Sequence, residues 1–160
     1  MENYLFFALM YNNNEILEKT INELNFGAIL SKSPEYDFNF TDHYENEFGS
    51  ELKKTIIIFN NNIQKNNLIK IKNTITEIEK NNSVGNKRKI NVDPGYVNDK
   101  EVVLASFKKK RFKDDLGDGV YAHKVLEFKD GEVKDFFHTF ADFKSKLVKE
   151  FFLGIIKQYL

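Results

Sequence analysis

Two successive strand-helix-strand patterns, three further strand-like runs and a terminal segment with one wide apolar stripe together predict an α+β fold. The specific expectation is a ferredoxin-like antiparallel sheet with two helices on one face, extended by extra strands and a C-terminal helix. At 160 residues, 41% of them apolar, the chain can withdraw roughly two thirds of its unfolded surface from water, so a single domain over residues 1–160 is expected.

Each element has a local cause. Tyr4 to Met10 is a nearly unbroken apolar run, the pattern of a strand covered on both faces. Asn12, Asn13 and Asn14 follow as helix N-cap residues, Glu15 favours the first turn, and Leu17, Ile21 and Leu24 lie on one helical face before the stop at Gly27. Tyr36, Phe38 and Phe40 alternate with Asp37 and Asn39, which predicts a half-buried strand. The second unit repeats this order: a β-branched run over Thr55 to Phe59, a cap at Asn66 or Asn67, the helical spacing of Leu68, Ile71, Ile75 and Ile78, and a strand over Lys89 to Val92. Lys80 to Lys87 is polar and reads as a mobile loop. Strands are then expected over Val102 to Phe107, Val120 to Phe128 and Val133 to Phe137, with Asp130-Gly131 as a hairpin turn. In the tail, Val148, Phe152, Ile155 and Tyr159 form the stripe of a helix packed on the body.

Composition narrows the function. The 24 basic residues balance 24 acidic ones, so no long-range field steers the chain to nucleic acid, although a local basic patch stays compatible with one. With no cysteine, disulfides, thiolate catalysis, Cys-ligated zinc and iron-sulfur clusters are excluded. The opening MENYLFFALMYNNN is too short an apolar run for a membrane span or signal sequence, so a cytoplasmic protein with no membrane partner is expected.

Several segments carry candidate chemistry. Asp93-Pro94-Gly95-Tyr96 has Pro and Gly in the order that a type II turn requires, with Asp93 as a base or metal ligand and Tyr96 lining a pocket. The simpler reading is an Asp that bonds to its own turn. Gly117-Asp118-Gly119 lets backbone approach a ligand while Asp118 supplies a carboxylate, or else merely reverses the chain. If these two loops share one sheet end, Asp93 and Asp118 converge with Tyr96 and Tyr121 on a small polar ligand or a divalent cation. Asp42 and Glu45 are outside metal candidates; the local alternative makes them a helix cap and its capping-box partner. His123 and His138 have no zinc-signature spacing and read as satisfied or exposed histidines. Lys108-Lys109-Lys110-Arg111-Phe112-Lys113 mixes phosphate-binding cations with rings, but Asp114 and Asp115 follow at once, which favours a solvated connection.

Taken together in order, FNFTDHYENEFG (Phe38 to Gly49), INVDPGYV (Ile90 to Val97), VVLASFK (Val102 to Lys108) and LGDGVYA (Leu116 to Ala122) resemble an uncharacterised bacterial family, catalogued as domain of unknown function 4416 (DUF4416). The resemblance runs nearly end to end and implies a small bacterial cytoplasmic protein, without a reaction, substrate or catalytic residue. His123 stands where the resemblance implies a Glu, and FHTFADF (Phe137 to Phe143) stands in place of a Trp- and Pro-containing stretch. A GTP-binding role lacks its usual GxxxxGK[ST] loop. The leading expectation is a protein binding a small polar ligand or divalent cation at the DPGY and LGDG loops. The alternative is a non-catalytic, RNA-associated interaction protein.

Overall fold

The computed structural model describes residues 2–160 and is arranged about β1 (Tyr4–Tyr11), a strand buried at all eight positions. After it come α1 (Asn14–Glu23), β2 (Ile29–Lys32), β3 (Tyr36–Asp37) and the single turn α2 (Glu45–Phe48). Next are β4 (Lys53–Asn62), α3 (Asn67–Asn81), β5 (Ile90–Val97) and β6 (Glu101–Ser106). The chain closes with β7 (Asp114–Gly117), β8 (Val120–Lys129), β9 (Glu132–Asp135), a 3-10 turn (Ala141–Lys144) and α4 (Lys146–Tyr159).

The nine strands form one open sheet in the order β2-β4-β1-β5-β6-β8-β7, with β3 beside β4 and β9 beside β8. Every pairing among the described residues is antiparallel. Strand periodicity sorts the core into two layers. Leu5, Phe7 and Leu9 join Leu17 of α1 and Leu68, Ile71 and Ile75 of α3. Phe6 and Ala8, with Ile56 and Ile58 of β4, join Val148, Phe152 and Ile155 of α4. Covering both faces explains why β1 is apolar throughout, each fully buried large side chain contributing about 1.5–3 kcal/mol.

Local signals act as read in several places. Asn13 caps α1 by accepting from the Ile16 N–H at 2.9 Å; at α4 the cap, not anticipated from the residues, is Ser145, which accepts from the Val148 N–H at 3.3 Å. Asp130 and Gly131, both at positive φ, make the two-residue β8-β9 turn. Elsewhere edge strands depart from the pattern. The strand expected over Tyr36 to Phe40 is only the two residues of β3, and the longer partner on the outer side of β4 is β2, whose exposed and half-exposed residues carry no apolar alternation. β7 begins with two acids and was invisible for the same reason. α1 ends at Glu23, before Gly27 turns the chain with φ 114°.

The largest correction concerns Asp93-Pro94-Gly95-Tyr96, which is no turn but the middle of β5, opposite Ala8, Phe7, Phe6 and Leu5 of β1. Pro94 is tolerated because pairing with β6 starts only at Gly95, so the ladder on that side loses no donor before it. Gly95 is required by close approach: a Cβ there would lie 2.2 Å from the Val103 carbonyl oxygen and 2.7 Å from Cζ of Phe6. Gly95→Ala should therefore cost about 3 kcal/mol of unfolding free energy in urea titrations, since the clash is with backbone and no rotamer relieves it. A cost within about 0.5 kcal/mol, the scale of a surface substitution, would contradict this packing.

Candidate functional site

The second layer of the sheet is not filled to its end. Alternation along β1, β4 and β5 puts Met10, Lys54, Asn91 and Asp93 on the face that α4 covers, but α4 is preceded by the 3-10 turn and leaves a cavity of about 210 Å³ over them. Phe38, Tyr44 and Phe140 supply its aromatic walls.

At the bottom of this cavity lies a buried ion pair. Lys54 Nζ donates to Asp142 Oδ2 at 2.9 Å, with the two side chains 8% and 2% exposed. The Tyr36 hydroxyl donates to the same oxygen at 2.8 Å. Burial, and then the Asp142 charge, push the Tyr36 hydroxyl far up, so it stays protonated and acts as a donor. The ammonium also lies 4.8 Å from the centre of the Phe38 ring and 5.9 Å from that of Phe143, over faces that favour a cation. Among the described residues, two of the three Lys54 N–H groups and the Asp142 Oδ1 have no hydrogen-bond partner. The chemical capacity is thus a strong donor beside a strong acceptor, facing an aromatic slot.

β5 meets this cavity along an opening in the sheet. Residues before Gly95 have β1 on one side and no strand on the other. Here α3 takes over: Glu79 Oε2 accepts the Val92 N–H at 2.9 Å, and Lys72 Nζ reaches Asp93 Oδ1 at 3.6 Å. Since α3 packs on the Val92 face and Asp93 lies on the other, the Lys72 contact crosses the sheet through this opening. Arg88 binds Glu47 with two bonds, at 2.7 and 3.0 Å, and approaches Glu79 at 3.4 Å. Burial pushes the Glu79 carboxyl up to about 7 against the opposing pull of the Val92 N–H and the Arg88 charge.

The residues expected to form one site do not meet. Asp93 is half-buried on the cavity rim, its oxygens held by Lys72 and by Asn91 Nδ2 at 3.0 Å. Tyr96, three residues on, faces the opposite layer and is 2% exposed; burial first, then Glu101, raises its hydroxyl. Asp118 is exposed at the apex of the β7-β8 hairpin with φ 52°, separated from β5 by β6 and β8. Tyr121 stands in β8 opposite Ser106 and Asp115. Asp42 and Glu45 are exposed and form no capping box: Tyr44 is the N-cap of α2, and the Asp42 carbonyl accepts the Glu45 N–H at 3.1 Å. No three His, Asp or Glu side chains among the described residues gather as ligands, and β6 and β8 lie between Asp93 and Asp118, so these two do not share one site.

Sequence reasoning missed Lys54, Asp142 and Tyr36. The signal available was a lysine inside the apolar run LKKTIIIF and an acid between rings in FADF. It also missed that the β8-β9 hairpin brings His123 Nε2 within 3.0 Å of His138 Nδ1, with His123 Nδ1 buried and unpartnered. Burial, and then the Lys113 charge, push the His123 imidazole down to about 4.

A family model described as domain of unknown function (DUF4416) matches residues 1–159. No curated protein and no solved structure matches the chain. Among the described residues, no helix is long and apolar enough to cross a membrane.

Glu79 gives the site a pH signature. Its folded pKa of about 7 lies above the ordinary 4.5, so its contribution is present below pH 4.5 and is lost as pH rises to about 7. Glu79→Gln keeps an acceptor for Val92 and removes the titration. Urea midpoints measured across that window should fall more steeply for the wild type than for the variant; parallel profiles would mean that Glu79 ionises freely.

Proposed function

This chain belongs to the DUF4416 family, and we propose that it binds a small, planar, polar ligand in the cavity above Lys54 and Asp142. The observation that carries this reading is the buried ion pair with hydrogen-bonding capacity left over on both partners. Removing two charges from water costs several kcal/mol per ion, and apolar substitutes of similar volume are often as stable or more so. A fold has no need of such a pair for stability alone. Its retention under an open cavity is accounted for if the spare Lys54 N–H groups meet a ligand oxygen and Asp142 Oδ1 meets a ligand donor.

The remaining walls narrow the class. Phe38, Tyr44 and Phe140 favour a flat molecule, and a volume of about 210 Å³ is below the roughly 300–1,000 Å³ of pockets that take drug-sized ligands. Asn91 and Asp93 border the same space, so Asp93 keeps a binding role as a rim residue, without the partners first expected for it. Tyr36 orients the Asp142 carboxylate. The reading is of a binding protein; its polar groups hold and orient a ligand.

The finer fold assignment belongs here too. The interleaved order β2-β4-β1-β5, with α1 and α3 contributing to one core layer, supports a ferredoxin-like unit to which β6 to β9 and α4 are added. A single domain in a bacterial cytoplasm is the setting we infer, with a composition lacking cysteine as its support.

Met10 lines the cavity and offers a direct probe. With ¹³C-methyl-labelled methionine, uracil and 4-hydroxybenzoate, which pair a donor with an oxygen acceptor, should shift the Met10 methyl resonance saturably, whereas benzene should not. The Lys54→Met, Asp142→Leu double variant, which leaves no unpaired charge, should lose the response while keeping a folded spectrum. Equal shifts from benzene, or a response that survives in the double variant, would reduce the cavity to a packing defect.

A further inference from the structure

We propose that the β6-β7 connection and the segment after β9 form a binding surface for single-stranded nucleic acid. This surface is separate from the Lys54 cavity, which it adjoins only at Phe140.

Aromatic rings come first. Phe112 stacks on His138 with ring centres 4.0 Å apart and planes 3° from parallel, and Phe136 stacks beside the same imidazole at 5.1 Å and 11°. Phe140 meets the buried His123 edge-on at 5.0 Å. This stack does not finish in the core: Phe112 is 44%, Phe140 45% and Phe137 97% exposed. Phe137, next in the chain to the stacked His138, enters no ring pair among the described residues. So large an exposed ring beside a continuous aromatic platform is costly for a surface that stays in water.

Charge identifies the occupant. Lys108, Lys109, Lys110 and Arg111 are exposed and enter no ion pair among the described residues, while Lys113 ties the loop by donating to Ser106 Oγ at 3.0 Å. Of the two acids that follow, Asp114 is paired with Lys65 at 2.7 Å, and Asp115, whose Oδ1 accepts the Gly117 N–H at 2.9 Å, is left as one negative charge against the four cations. The local field is therefore positive although the chain is neutral. Its mark appears on neighbouring groups: burial first, then Lys108 and Lys110, lower the Lys113 ammonium, and burial and then Lys113 lower His123. A row of unpaired cations for phosphates, next to the exposed rings of Phe137, Phe140 and Phe112 for bases, is the sequence-tolerant recognition of an unpaired strand. An acidic peptide would use the cations but has no flat π-faces to match the rings.

The test is fluorescence anisotropy of labelled U12 RNA and dT12 DNA with the full chain. Binding of either supports the proposal, and the tighter of the two identifies the source. Four phosphate contacts would weaken binding about fifty-fold when salt rises from 50 to 200 mM, following the single-strand salt slope. Phe137→Ala, at an almost wholly exposed position, should weaken binding about ten-fold with no change in melting temperature, as expected for one lost stacking partner. The Lys109→Glu, Lys110→Glu double variant should weaken it further and flatten the salt slope. The proposal is overturned if neither oligonucleotide binds at 50 mM salt, or if polyglutamate binds as tightly as the oligonucleotides. Equal affinity of Phe137→Ala and wild type also overturns it. The Lys54→Met, Asp142→Leu variant should bind the oligonucleotides normally, so this result stands or falls apart from the cavity's.

Discussion

The ammonium of Lys54 and the carboxylate of Asp142 sit 2.9 Å apart with almost no access to water, and that contact is the polar tie between β4 and the turn that launches α4. Lys54 is fixed by β4, next to the central strand, whereas Asp142 belongs to the short 3-10 turn that launches α4. Tyr36 adds β3 through the same carboxylate oxygen. A buried pair of this kind tolerates no sliding: displacing the turn by one residue would strand a charge at each end. The cavity lies beside this pair, where Ala141 and Asp142 of the turn meet the sheet, while Phe143 of the turn and α4 pack by apolar contact farther along.

A second polar device serves the opposite layer. Gly95 lets β5 and β6 lie close at one end, while the other end of β5 is paired with β1 alone and has no strand on its second side. An open edge in the middle of a sheet would carry unsatisfied backbone donors, and Glu79 meets one of them by accepting from Val92. Lys72 passes through the same opening to Asp93, so the rim of the cavity is charge-coupled to α3 on the far side. This is the physical content of the DPGY segment: its unusual residues shape an interstrand gap rather than a loop.

Which features were legible in the residues follows from how local their causes are. β1, α3 and α4 declare themselves because burial on a whole strand or a helical stripe leaves a periodic trace, and Asn13 and Asp130-Gly131 act within a few residues of themselves. Edge strands β2 and β7 leave none, since one side of each meets solvent. Pro-Gly signals a turn only where the chain is free to turn; here pairing with β1 along the whole segment overrides it. The candidate site was illegible for a different reason. Lys54 and Asp142 are 88 residues apart, and neither sits in a motif; only the tertiary fold makes them partners. The same holds for His123 and His138, whose rings meet because the β8-β9 hairpin folds back.

The mutual dependence of Lys54 and Asp142 is measured most directly by a double-mutant cycle on unfolding free energy with Lys54→Met, Asp142→Leu and the two combined. If the pair is buried as described, each single change leaves an uncompensated charge and costs about 3–5 kcal/mol. The combination should cost far less than their sum, with a coupling of about 2 kcal/mol or more. Two single effects that add to within about 0.5 kcal/mol would show that the two side chains do not depend on each other, and the account of the site would fail with them.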